Sequence, residues 1–381
     1  MNHIHTILTK AKEEGKLPSI KVFNRIDGPG SSLDLRMFQQ SFWHLTDIPA
    51  NPHADPKMEW SNTLPRTIGI SISVGTEITA VPIELGKLGV ESIDFGFSYI
   101  YNKDAIPPTR ENWLLRIMDT FSLDGVKFIV KNERPELKSA GLGGSAAVTV
   151  GVCLLANKLT GNRFTNHQII GMASMIEHDL GVSITGTQEQ SAAVFGGIRD
   201  YVWFPWGIPG QDNFYGTSIR QELLKPEDYA DVRSRMDIYF THERYSADTN
   251  AKWHDELRKV NGFKLHKKKC ELAYNFREAL RNKHWHAMVD AINEYRNIRV
   301  QLCASYMVES HKKLQAMAER HNCTTFPLGA GGGSVLVFSP NPEHLAKMRS
   351  EAMEEFNYVD YTIMDKGHIF HHTESFEQAN Q

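Results

Sequence analysis

The stretch 135-PELKSAGLGGSAAVTVG-151 decides how this chain is read. Gly141, Gly143 and Gly144 let the backbone approach a ligand closely, Ser145 follows them, and a run of small residues then predicts a helix that ends at Gly161. Free amides and the helix dipole at such a helix start favour an anion, so phosphate binding is one reading. A helix start simply packed on a sheet is the other. The stretch has neither the GxxxxGK[ST] of a P-loop nor the GxGxxG and trailing acidic residue of a dinucleotide fold, which removes both.

On either side of this stretch the pattern alternates between strand and helix. A second helix is predicted after Thr165 or Asn166, either a good N-cap, running through QIIGMASMIEHDLG to Gly181. Upstream, Ile68, Ile70, Ile72 and Val74 alternate with small or polar residues, which predicts a half-buried strand between Arg66 and Leu85. Further strands are expected at Ile93–Phe97 and Val126–Val130, with a helix over Glu111–Phe121 whose stripe is Trp113, Leu114, Ile117 and Met118. Downstream, a loop rich in Gly, Pro and Trp (204-FPWGIPGQDNFYG-216) precedes the strand MDIYF, and the character then turns mostly helical. Leu272, Phe276, Ala279 and Leu280 make one stripe; Met288, Val289, Ile292 and Tyr295 make another. Strands at Val335–Phe338 and Tyr358–Ile363 flank a helix near Glu343–Phe356. The change of character puts a domain boundary at about residue 205 to 215.

With 381 residues, 41% of them hydrophobic and 23% charged, the chain has the composition of a globular protein with room for two or three domains. A formal charge of -3 and the lack of a long basic run argue against a nucleic-acid partner. The opening MNHIHTILTKAKEEGKLPSI lacks the apolar core of a signal peptide, and no stretch approaches the roughly 20 apolar residues that span a bilayer, so no membrane association is expected. Cys153, Cys270, Cys303 and Cys323 are scattered with no CxxC pair, which predicts free thiols and a cytoplasmic location.

The glycine stretch resembles the second motif of the GHMP kinases, PxxxGLGSSAA: Gly141, Leu142, Gly143, Ser145, Ala146 and Ala147 match, and Gly144 stands where serine is commoner. The resemblance implies that this loop wraps the phosphates of ATP and that Ser145 helps to hold Mg2+. Three other segments resemble the family's landmarks in order. The first, 25-RIDGPGSSLDL-35, is similar to the RISFAGGGTDL opening of heptose 7-phosphate and fucose kinases: Arg25, Gly30 and Asp34 align, while Ser31 and Ser32 replace glycines and Leu33 a threonine. Taken by its residues alone it is a solvated turn. The resemblance implies that Asp34 binds acceptor hydroxyls and that Arg25 lies near the transferred phosphoryl group.

The second, 176-IEHDLGVSITGTQEQSAAVFGG-197, resembles IERDLGIxGGKQDQYAAAFGG, which implies Glu177 as the Mg2+-binding carboxylate and puts Glu189 at the place of the catalytic aspartate, with Gln188 and Gln190 as polar neighbours. By itself Glu177 reads as an exposed helix residue. Because misplacement on the order of 1 Å costs roughly 100-fold in rate, the longer Glu189 side chain fits three readings, a shifted but active base, an altered acceptor, or a weakened enzyme kept for binding, and the first is favoured. The third, 327-PLGAGGGSVLVFSP-340, resembles the C-terminal motif TGAGGGG followed by a strand, with Gly329, Ala330, Gly331, Gly332 and Gly333 matching. The resemblance implies that this loop supports the phosphate loop, with Gly331 and Gly332 on the nucleotide side and Gly329 toward the acceptor. Arg244, in 241-THERYSADT-249, falls where the family often contacts the acceptor.

The fold so implied is α+β: residues 1–210 form a domain like the second domain of ribosomal protein S5, and residues 211–381 a ferredoxin-like domain. The implied activity is ATP- and Mg2+-dependent phosphoryl transfer to a sugar or sugar phosphate, with a homo-oligomer left open. A kinase of the mevalonate or amino-alcohol type and a non-catalytic sugar and ATP sensor are the alternatives. His284 and His286 sit two apart on a helix and face differently, and nothing in the sequence makes His368, His371 and His372 converge with a second shell, so no metal cluster is expected. The run Lys264–Lys269 is expected to be a solvated helix face, and Trp203 and Trp206 to serve packing.

Overall fold

The structure, a computed structural model, describes residues 3–35, 37–38, 64–137, 140–182, 184–204, 217–243 and 249–378; Arg244 and Trp206 lie outside them. Strands β1 (Ser19–Asp27), β2 (Arg66–Pro82), β3 (Lys87–Ser92), β4 (Phe97–Asn102), β5 (Val126–Asn132), β6 (Ile198–Phe204) and β7 (Thr217–Leu224) build most of an eight-stranded sheet. Strands β8 (Met236–Phe240), β9 (Thr324–Pro327), β10 (Ser334–Phe338) and β11 (Asn357–Val359) form a second, four-stranded sheet, and β12 (His368–His371) returns to the first. The large sheet therefore draws strands from both sides of residue 210.

The long strand β2 organises the large sheet. It pairs antiparallel with β1 along its length, with β5 over Thr76–Pro82 and with β6 over Arg66–Ile70. The small sheet has the order β11-β8-β10-β9, all antiparallel, with helices between its first and second and its third and fourth strands. That order and connectivity are those of a ferredoxin-like split βαβ arrangement.

Helices α1 (Gly144–Leu159), α2 (Asn166–Asp179) and α3 (Gln188–Phe195) cover one face of the large sheet; Val150, Val152, Leu155 and Ile169 pack there with Val22, Ile78 and Phe128. Helices α4 (Val260–Arg281) and α5 (Trp285–Leu302) fill the space between the two sheets. Their stripes, Leu272, Phe276, Ala279 and Leu280 with Met288, Ile292 and Tyr295, join Ile68, Ile70 and Ile72 of β2 and Ile238, Phe326 and Leu336 of the small sheet in one core. Because the sheet is covered on both sides, Thr67 and Ser71 are buried along with the isoleucines, so the strand expected to be half-buried is enclosed on both faces over this half.

Three expectations need correction. Residues 93–96 form the turn between β3 and β4, with Ile93 and Phe95 about half exposed, because the pattern there belongs to a hairpin whose strands lie on either side. Beyond Val359 the segment leaves the small sheet, and Ile363 makes an isolated bridge to Ile72 of the large one. The lysine run is not uniformly solvated: Lys264 is exposed, but Lys269 is fully buried. Lys269 precedes Leu272, Ala273 and Phe276 at helical spacing, which turns it inward with the apolar stripe. Its amine donates to Ser32 Oγ at 3.1 Å and lies over the rings of Phe38, Trp253 and Tyr295 at 5.2–5.4 Å. Trp203 packs inside, stacked on Tyr201, with its indole N–H donating to Thr67 Oγ1. No helix among the described residues is long and apolar enough to cross a membrane.

Candidate active site

Strand β1 carries a register shift between Phe23 and Asn24, after which Arg25 and Asp27 face inward at a spacing of two. The backbone N–H of Arg25 donates to Leu142 O at 3.1 Å, which ties the strand to the glycine loop. The buried Arg25 guanidinium then serves three partners: Gly141 O at 2.8 Å, Asp27 Oδ1 at 3.2 Å and the carboxylate of Glu189. Asp27 and Glu189 outweigh the desolvation penalty and raise the pKa of Arg25 above its ordinary value. It is a fixed cation.

Glu189 sits in the first turn of α3, its side chain 19% exposed, with Gln188 Nε2 donating to Oε1 at 3.2 Å. Its Cγ lies 3.0 Å from where a Cβ on Gly143 would be. The absence of a side chain at 143 thus makes room for the methylene by which glutamate exceeds aspartate, and Arg25 fixes the carboxylate at its far end.

Asp34 is the second carboxylate of the site. Its Oδ2 accepts from the backbone N–H of Gln188 at 3.0 Å, and Gly186 packs so close that a Cβ there would lie 1.9 Å from Oδ2. Burial and the nearby charge of Glu189 push the Asp34 carboxyl up to about 7. The folded pKa exceeds that of the unfolded chain, so this group's contribution to stability is fully present below about pH 4 and is lost as pH rises toward 7. Asp34→Asn should therefore raise the unfolding temperature at pH 8 by roughly 2–4 °C and change it little at pH 4. Equal shifts at the two pH values, followed calorimetrically, would contradict the assignment.

Glu177 lies on α2 and is buried, not exposed. Its Oε1 accepts from Thr149 Oγ1 at 2.6 Å and from Ser145 Oγ at 3.4 Å, and its Oε2 from Gln190 Nε2 at 3.3 Å. Thr149 follows Ser145 by one helical turn and Gln190 follows Glu189, so two neighbouring helices, α1 and α3, orient one carboxylate beside an exposed serine hydroxyl. A carboxylate and a hydroxyl so close, at the start of a helix that can take phosphate, suit a hard cation that completes its shell with phosphate oxygens and water.

The glycine loop between β9 and β10 lies directly on the glycine loop at 141–144. Ser334 N–H donates to Ala140 O at 2.9 Å, and a Cβ on Gly332 would lie 2.5 Å from Gly141 Cα. Gly329 is held at both ends of its backbone: its N–H donates to Asp27 Oδ1 at 2.9 Å, and its C=O accepts from Arg299 Nη2 at 2.7 Å. Between these loops and α3 opens a cavity of about 60 Å³ whose lining includes Ser31, Ser32, Asp34, Gln188, Glu189 and Gly329.

The structure thus brings together Arg25, Asp34, Gly141–Ala146, Glu177, Glu189, Gly329, Gly331 and Gly332; Arg244 lies outside the described residues. Sequence reasoning missed Asp27, Thr149 and Arg299. The first two had a signal, since Asp27 is two residues from Arg25 on a strand and Thr149 four from Ser145 on a helix. Arg299 had none, because only the tertiary fold carries α5 to the 27–34 loop. Among the described residues no group of three or more His, Cys, Asp or Glu could hold a metal ion.

Comparison with known proteins bears on the fold. Residues 111–197 match the family model described as GHMP kinases N terminal domain. No curated protein matches the sequence. Among solved structures, the mevalonate kinase of Methanococcus jannaschii has a TM-score of 0.65 at 16% identity, covering 92% of this chain and 99% of its own. A putative sugar kinase from Campylobacter jejuni gives 0.62 at 18%, covering 93% and 98%. A D-glycero-D-manno-heptose 1-phosphate kinase from Bacteriodes thetaiotaomicron gives 0.60 at 17%, with the same coverage of 93% and 98%. This chain therefore has the GHMP kinase fold, and the segment matching that family's N-terminal domain is the one that carries the glycine loop at 141–144, Glu177 and Glu189.

Proposed function

We propose that the protein is an ATP- and Mg2+-dependent kinase that transfers a phosphoryl group to a hydroxyl of a small polyol, a sugar or sugar phosphate. The observation that carries this reading is the Arg25–Glu189 pair, set against Gly143 of the phosphate loop at the edge of a polar cavity that also holds Asp34. In the proposed step the acceptor hydroxyl gives its proton to Glu189 as its oxygen bonds to the γ-phosphorus and the bond to ADP breaks. Arg25, fixed by Asp27 and Gly141 O, offsets negative charge at the transferred group. Asp34 accepts from a second acceptor hydroxyl and so orients the substrate. Ser145 and Glu177 would hold Mg2+, which neutralises phosphate charge when bound.

The sugar assignment draws support from the neighbours named as a sugar kinase and a heptose 1-phosphate kinase; the mevalonate kinases among them favour a non-sugar alcohol. The test is Mg2+- and ATP-dependent ADP release across free and phosphorylated sugars, with mevalonate and an amino alcohol as further arms. Turnover with a sugar or sugar phosphate is the expected result. Turnover with mevalonate or the amino alcohol alone would sink the sugar assignment. ATP binding with no turnover on any acceptor would sink the kinase and leave a ligand sensor.

A further inference from the structure

The floor of the acceptor cavity has a hydrogen-bond polarity that selects its occupant. Ser31 and Ser32 line it, and each hydroxyl oxygen accepts from a fully buried basic side chain: Ser31 Oγ from Arg299 Nη2 at 3.4 Å, Ser32 Oγ from Lys269 Nζ at 3.1 Å. A serine has one proton to give. With the oxygens engaged by these donors, and no acceptor for either hydroxyl proton among the described residues, both O–H groups are left to donate to an occupant of the cavity.

The two basic groups themselves lack a counter-charge. Neither makes an ion pair among the described residues. Arg299 spends its donors on Tyr306 Oη, Ser31 Oγ and Gly329 O, and its buried Nε has no partner. Lys269 has one hydrogen bond and three aromatic faces. Burial and the adjacent Arg299 push the Lys269 amine well below its ordinary value, as befits a site that gains from a nearby anion. Ser32 also holds φ at 72°, a conformation that costs a non-glycine residue energy and that glycine would adopt freely. The serine is kept where the backbone would prefer none.

We infer that the acceptor carries an oxyanion group, a phosphate or carboxylate, seated on the Ser31 and Ser32 hydroxyls beside Arg299, which lines the same cavity, with Lys269 supporting Ser32 from outside the lining. The carboxylates of Asp34 and Glu189, which line the same cavity, take the hydroxyl end of the same molecule. The inference rests on the kinase reading and narrows its substrate class to hydroxylated anions.

The experiment is calorimetric titration of protein saturated with Mg-AMPPNP, using two matched pairs of probes: D-gluconate against D-glucose, and D-ribose 5-phosphate against D-ribose. At least one anionic probe should bind roughly 10-fold or more tightly than its neutral partner, as charge-assisted hydrogen bonds allow. Gluconate and ribose 5-phosphate distinguish a carboxylate from a phosphate. The Ser31→Gly/Ser32→Gly variant relieves the backbone at Ser32 and should fold; it should lose that margin while its AMPPNP affinity stays unchanged. Equal binding within both pairs, no binding of any probe, or a margin that survives in the variant would each overturn the inference. AMPPNP binding is scored before any probe is added, so a failure of the nucleotide site is told apart from a failure of the anion site.

Discussion

Replacing Glu189 by glutamine should lower the turnover number by roughly 100- to 10,000-fold, the range that loss of a positioned general base produces. The amide keeps the length and most of the shape of the side chain but cannot take the hydroxyl proton. It also loses the ion pair with Arg25, whose guanidinium keeps Asp27 Oδ1 and Gly141 O. The phosphate loop therefore retains its support, and nucleotide affinity should change little. Single-turnover transfer with the acceptor found in the panel, set beside AMPPNP titration, separates the two quantities. Turnover equal to the parent's would remove Glu189 from the chemistry. Glu189→Asp is the sharper companion: the shorter side chain withdraws from Arg25 and leaves the space beside Gly143 unfilled, so the carboxylate should act from the wrong place. A loss on the order of 100-fold is expected from displacement of about 1 Å.

Gly332→Ala should damage nucleotide binding and turnover together. A Cβ at this position would lie 2.5 Å from Gly141 Cα, 2.6 Å from Gly141 N and 2.9 Å from Ala140 C, all backbone atoms that no side-chain rotation can clear. The two loops must part, taking with them the bond from Ser334 N–H to Ala140 O that holds them in register. Overpacking of this kind costs about 1–3 kcal/mol of stability. The same shift moves Gly141 O away from Arg25, so a loss in kcat on the order of 100-fold is expected alongside a raised KM for ATP. Gly144→Ala is the matched comparison for stability, because a methyl there meets nothing within 4 Å. Thermal unfolding should separate the two variants; equal stability would mean that the loops are not in firm contact.

The parts of this site that could be read in the sequence are those whose spacing is local. The glycines at 141, 143 and 144 before a small-residue helix lie within one loop, and the alternation of Ile68, Ile70 and Ile72 follows from the pleat of one strand. What could not be read depends on which distant element arrives. Nothing near Arg299 in sequence says that its guanidinium will hold Gly329 O, and nothing near Glu177 says that Gln190 will bury it. Lys269 lies between these cases. Its helical spacing from Leu272 and Phe276 marked it as inward-facing, but the charge pattern of its neighbours argued for solvent. Three aromatic rings and a serine hydroxyl decided the matter, and they come from elsewhere in the chain. The turn at residues 93–96 was misread because exposed Ile93 and Phe95 carry the composition of a strand without its pairing.

The pairing of Ser19 with His371, where β12 borders β1, bears on how the protein is made. During synthesis β1 leaves the ribosome early and must wait, one edge open, until nearly all the residues described here have followed. Phe23 N–H and Gly197 N–H likewise wait for Gly367 O and Met364 O. Contacts so far apart in sequence are slow to form, and an unpaired strand edge is a template for wrong partners. Chains stalled before residue 364 should therefore be the species that chaperones hold and proteases remove, even though every residue of the phosphate loop has already been made.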